Sequence, residues 1–189
     1  MGILDTILGR TKPVQPKLDD LFALPTAAIT LEAGMGFKPT GSGSVCFRSV
    51  EGRTFADVQS DVQQLLDATG SLPVEASKDS YGFTWVVSSH MSDDVSGLVT
   101  DLHAVNSALV DNGFGPQLLC TLVAFRDERE RRLGLVYLYK RGTFYPFAPM
   151  SGEKRDNTLE LEVKGVVGSD LKFEQDLTRW FPVWGAPGL

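Results

Sequence analysis

The stretch PQLLCTLVAFRDERERRLGLVYLYK, residues 116–140, decides the fold. Two runs rich in Leu, Val, Tyr and Phe flank a charged tip, RDERER. Each run is apolar at odd and even positions alike, so both of its faces need cover. The pair therefore predicts two central strands of a sheet, joined as a hairpin. Upstream, Ser92 is the expected cap of the longest helix. Val95, Leu98, Val99, Leu102, Val105 and Leu109 line one stripe of it, and Asn112-Gly113 ends it. Before that helix, PVEAS and SYGFTWVVSS predict a second hairpin, with Tyr81, Phe83, Trp85 and Val87 alternating onto one face.

Further towards the start, Thr54 and Asp57 resemble a capping box. Phe55, Val58, Val62, Leu65 and Leu66 follow at helical spacing, and Gly70 supplies the stop. The segment AAITLEAGMGFKPTGSGSVCFRSV reads as two strands with a Gly-rich connection, the second placing Val45 and Phe47 on one face. LDDLFAL, from Leu18 to Leu24, predicts a short helix that stops before Pro25. Residues 1–9 predict a short amphipathic helix, and Pro13 and Pro16 stiffen the linker after it. Beyond the central hairpin, NTLELEVKGVV fits either a strand or a helix. Helix is favoured, with Asn157 as its cap, because Glu160 and Glu162 are good helix formers. The ending LTRWFPVWGAPGL carries too much Pro and Gly for a long helix and predicts an extended segment.

The expected organisation is an N-terminal helix and Pro-containing linker, residues 1–16, followed by one α+β domain, residues 17–189. Successive helix-hairpin units make an antiparallel sheet with helices on it, since short hairpins cannot form the crossovers of a parallel sheet.

The chain has 189 residues, is 42% hydrophobic and has a net charge of -6, which is the balance of a soluble domain and argues against broad attraction to nucleic acid. No apolar run approaches the length of about 20 residues that spans a bilayer. Asp5 and Thr6 interrupt the opening MGILDTILGRTKP, so it does not read as a secretory signal. Gly2 and Thr6 match the eukaryotic myristoylation pattern. The expected location is the cytoplasm, with peripheral contact at the inner face of the membrane as a second reading. Cys46 and Cys120 each sit in an apolar run without metal-ligand spacing and read as reduced core residues.

Catalytic and metal motifs fail in detail. GMGFKPTGSGS has the GxxxxG spacing from Gly36 to Gly41, but Ser42 stands where a phosphate loop needs lysine. Pro39 stands where a dinucleotide fingerprint needs its third glycine. His90 and His103 have no sequence-required neighbour among the cysteines. No catalytic, cofactor-binding or metal-ligating residue is expected.

Contact surfaces are better supported. Ile3, Leu4, Ile7 and Leu8 share one arc of the first helix. Burying them contributes roughly 6 to 12 kcal/mol as an upper bound, before ordering costs. Lys140 and Arg141 are interleaved with Phe144, Tyr145 and Phe147. That pattern suits an interface, and equally a strand whose aromatics finish the core while its cations face water. Trp180, Phe181 and Trp184 must be covered, by their own domain or by a partner.

MGILDTILGRTKP, SVCFR, LVTDLHAVNSALVDNGFGPQLLC, VYLYKRGTFYPFAP, RDNTLELE and RWFPVWGAPGL together resemble the PspA-associated protein family PspAB, over nearly the whole chain. The resemblance implies an actinobacterial accessory protein of a phage-shock, envelope-stress system built around the coiled-coil protein PspA. It brings no catalytic residues. The element order is also similar to secretion-chaperone-like α+β folds, which bind protein segments. The leading functional expectation is a non-catalytic interaction protein with a PspA-type coiled coil as partner. Membrane-surface sensing through the first helix is second. An enzyme with an unrecognised site, using Cys120, His103 or the acids near the long helix, is third.

Overall fold

A computed structural model describes residues 17–48, 57, 60–64 and 74–189. Its centre is a six-stranded sheet in the order β2-β3-β1-β4-β5-β6, antiparallel throughout. The strands are β1 (Lys38–Arg48), β2 (Val74–Lys78), β3 (Phe83–Ser89), β4 (Leu118–Arg126), β5 (Arg132–Leu138) and β6 (Thr143–Phe147). Three helices whose bounds lie within the described residues are α1 (Leu24–Met35), α2 (Val95–Asp111) and α3 (Asn157–Val167). The α+β class and the central hairpin of β4 and β5 match the reading of the sequence, and residues 116–140 do cross the middle of the sheet.

The first third of the chain differs from its reading. Leu18–Ala23 forms a 3-10 turn that runs straight into α1, so AAITLEAGM is helical and not a strand. Pro25 lies in the first turn of α1, where a missing N–H costs nothing, and so it starts a helix there instead of stopping one. Leu24, Ala27, Ala28 and Leu31 form the buried stripe, and Gly36 ends the helix with φ 74°. The Gly-rich connection is itself part of β1. The order is therefore not three helix-hairpin units, because β1 is a lone strand inserted between β3 and β4.

Caps shift by a residue or two. Asp94, not Ser92, caps α2 by accepting from the Gly97 N–H at 2.9 Å. Asp156, not Asn157, caps α3 by accepting from the Leu159 N–H at 3.0 Å. Both helices otherwise run where expected, α2 burying Leu98, Val99, Leu102, Val105 and Leu109. Tyr81 lies in the β2–β3 turn, outside the alternation of Phe83, Trp85 and Val87. Of the helix expected from Thr54, residues 57 and 60–64 are helical with Val62 buried, and its other positions lie outside the described residues.

Two layers cover the sheet. The α2 side is marked by a buried contact, Asn106 Nδ2 donating to Thr121 Oγ1 at 2.9 Å, and by a part-buried one, Ser88 Oγ donating to Asp101. Neighbouring strand residues point the other way, towards the C-terminal segment. There Tyr145 stacks on Trp180 with centroids 6.2 Å apart, and Phe147 meets Trp184 edge-on at 4.9 Å. The outer edge of β6 is paired too, since Phe144 N–H donates to Lys172 C=O and Glu174 N–H donates to Phe144 C=O, both at 2.8 Å. Such cover removes an exposed edge.

Candidate functional site

Cross-strand register builds the site. Trp85 on β3 lies opposite Cys46 on β1, Cys46 lies opposite Cys120 on β4, and Cys120 lies opposite Leu138 on β5. These four side chains form a row across the sheet on the face turned from α2. The C-terminal segment crosses the same face, where Trp85, Cys46 and Cys120 are buried and Leu138 is half-buried. Between them lies a cavity of about 590 Å³, roofed by Phe181, Pro182, Val183 and Trp184.

The polar groups in this wall are already engaged. Asp79 accepts from the Tyr81 and Phe83 N–H groups at 2.9 Å and from Trp85 Nε1 at 2.8 Å. Tyr145 Oη donates to Phe181 C=O at 2.8 Å. Burial pushes the Tyr145 phenol well above its ordinary range. The Cys46 thiol is raised by its hydrogen bond to Cys120 and by burial, so it is protonated at neutral pH. A protonated thiol is a poor nucleophile and a weakly polar floor.

The mouth is cationic. Among the described residues, Arg48, Lys140, Arg141 and Arg179 line it against one carboxylate, Asp79. Arg141 Nε pairs with Glu174 Oε2 at 2.8 Å, and Arg179 Nε with Asp176 Oδ2 at 3.0 Å. Burial opposes the charge on Glu174, yet donation from Asp176 N–H, Arg141 and Thr143 holds its carboxyl below the usual range. Lys140 Nζ donates to the neutral Pro116 C=O at 2.9 Å and has no ion pair among the described residues. Arg48 has no ion pair among the described residues.

The structure therefore brings Lys140, Arg141, Tyr145, Phe181 and Trp184 to one cavity. Phe144 and Phe147 are core side chains of β6, 1% and 0% exposed, and Trp180 is buried against Tyr145. The strand reading of that segment is the one its aromatics follow. Ile3, Leu4, Ile7 and Leu8 lie outside the described residues. The histidines stand apart from both cysteines: His90 bridges Asp94 and Asp101, and His103 meets Asp19 and the Phe22 ring. Among the described residues no His, Cys, Asp and Glu cluster has metal-holding geometry, and no helix is long and apolar enough to cross a membrane.

Reading the sequence missed Arg48, Asp79, Leu119 and Arg179 as cavity residues, along with the meeting of Cys46 and Cys120. The signal available was a cation at the end of each apolar strand run, Arg48 after SVCF and Lys140 after VYLY.

The profile of the family described as PspA associated protein B matches residues 1–188. The chain belongs to the PspA associated protein B family. The description of this family ties its members to PspA and supports an accessory role. No curated protein and no solved structure matches the chain.

Proposed function

We propose that this member of the PspA associated protein B family is a non-catalytic accessory protein that binds PspA in an envelope-stress response. The observation that carries the reading is the mouth of the cavity, where exposed aromatic rings stand among cations. Phe181 is 58% exposed, Tyr81 50% and Phe83 37%. Arg48, Lys140, Arg141 and Arg179 surround them. Aromatic and Arg side chains dominate the energetics of protein interfaces. The cationic rim also complements acidic positions of a helical partner. The groups nearest the floor, a protonated Cys46 thiol and an engaged Tyr145 phenol, suit recognition better than nucleophilic chemistry.

Calorimetric titration of purified PspA into the chain tests this. The expected result is a micromolar complex that Phe181→Glu weakens about tenfold, equivalent to about 1.4 kcal/mol. Phe181 projects into solvent, so this substitution leaves the core intact. Absence of a complex at micromolar concentration, with and without vesicles, overturns the proposal.

A further inference from the structure

We infer that the cavity binds a single-chain anionic amphiphile, a long-chain carboxylate whose tail lies against Phe83, Leu119, Leu138 and Trp184, above the buried floor of Trp85, Cys46 and Cys120, and whose head meets Arg48 and Lys140. Size, wall chemistry and charge point to the same occupant. The volume of about 590 Å³ is that of a ligand pocket. A methylene is similar in size to a liquid water's share of about 30 Å³, so a chain of roughly 14 to 18 carbons fits.

The wall suits hydrocarbon better than polypeptide. β3, β1, β4 and β5 are each paired on both sides, so their backbone groups are spent within the sheet. The side-chain handles are spent as well: the Trp85 indole donates to Asp79, and the Tyr145 hydroxyl donates to Phe181. A peptide drawn into this interior would leave its own N–H and C=O groups unpaired at high cost, whereas an acyl chain brings none.

Charge assigns the head group. The chain carries a net charge of -6, yet among the described residues four cations and one carboxylate line this cavity. Asp79 already accepts three hydrogen bonds. Arg141 and Arg179 are held by acids, which leaves Arg48 and Lys140 as the pair without an acidic partner among the described residues. A guanidinium fork matches a carboxylate with two parallel hydrogen bonds.

The test is titration of the full chain with sodium hexadecanoate below its micelle concentration, followed by calorimetry and by tryptophan fluorescence, since Trp85 and Trp184 line the cavity. The expected result is saturable one-to-one binding at micromolar affinity. Octanoate and hexadecanol each bind about tenfold more weakly, and hexadecyltrimethylammonium does not bind. Arg48→Glu, at an exposed strand end, weakens hexadecanoate about tenfold. Leu119→Trp fills the cavity and abolishes binding, with unchanged thermal melting as its control for folding. No saturable binding, indifference to head-group charge, or an unchanged affinity in Arg48→Glu each overturns the inference. If hexadecanoate is inert while Leu119→Trp abolishes PspA binding, the interior is a protein groove: the lipid inference falls and the preceding proposal stands. Hexadecanoate binding without a PspA complex gives the converse.

Discussion

Single side chains tie the C-terminal segment to the rest of the molecule. Glu160 is 2% exposed, accepts from Ala148 N–H at 2.9 Å and pairs with Arg155 Nε at 2.9 Å. Arg155 in turn lies over the Phe147 ring and donates through Nη1 to Trp180 C=O. Burial raises the Glu160 carboxyl, and Arg155 opposes that shift. Glu160→Ala is expected to cost about 3 kcal/mol in urea unfolding, because it leaves a largely buried guanidinium and an amide without their acceptor. Replacing both partners, Arg155→Met with Glu160→Leu, is expected to cost less than the single change. His90 works as a second clasp, between the end of β3 and the start of α2. Its pKa is raised, first by the Asp101 hydrogen bond and then by Asp94. The Asp94 carboxyl is lowered by the Gly97 N–H and by His90. A raised histidine contributes fully below its unfolded value of about 6.5, and the contribution is lost as pH rises through the folded value. The advantage of the wild type over His90→Gln in urea midpoint is therefore expected to be larger at about pH 5.5 than at pH 9. An advantage that grows with pH refutes the clasp.

Elements explain which parts of the fold the sequence could reveal. α2 was legible by its helical period, and β4 and β5 by continuous apolar runs on either side of a charged tip; the spacing of α3 fitted either element, and its helix-forming residues tipped the reading. α1 was not. Its stripe Leu24, Ala27, Ala28 and Leu31 has helical spacing, but the β-branched Ile29 and Thr30 and the preceding proline point locally towards a strand. Docking of α1 onto α2 and α3 overrides that preference. β1 was misread for the opposite reason. Its small residues look like loop composition, yet they let the strand pass close beneath α2. A Cβ at Gly43 would lie 2.7 Å from Leu102 Cδ1 and 3.2 Å from Leu122 C=O. Gly43→Ala is accordingly expected to destabilise by about 1 to 3 kcal/mol. Gly165, in α3, has open space around it. Gly165→Ala is expected to stabilise by about 0.5 to 1 kcal/mol through helix propensity alone. Urea titration of the two variants side by side checks both signs.

For the whole molecule, the sheet's two faces have unequal cover: helices on one, a Pro- and Gly-rich segment on the other. The residues of the cavity were visible singly in the sequence as Cys46, Trp85, Cys120, Lys140 and Trp184. Their meeting depends on the pairing of strands far apart in the chain, which no local pattern encodes. Ending the chain at Asp176 removes the partners of Tyr145 and Phe147 and opens the row beneath. Such a chain is expected to bind anilinonaphthalene sulfonate strongly and to melt well below the intact protein, with its helical circular dichroism largely retained. The placement of β1 also sets a schedule. This strand is made early, but its neighbours on either side end at Ser89 and Arg126. At synthesis rates of about 5 to 20 residues per second, β1 waits about 4 to 16 seconds before β4 has followed it out of the ribosome. During that interval Val45, Cys46 and Phe47 form an unpaired apolar edge on a nascent chain. β1 therefore waits on β4 for its second edge, and the chain is expected to be most prone to aggregation in that window.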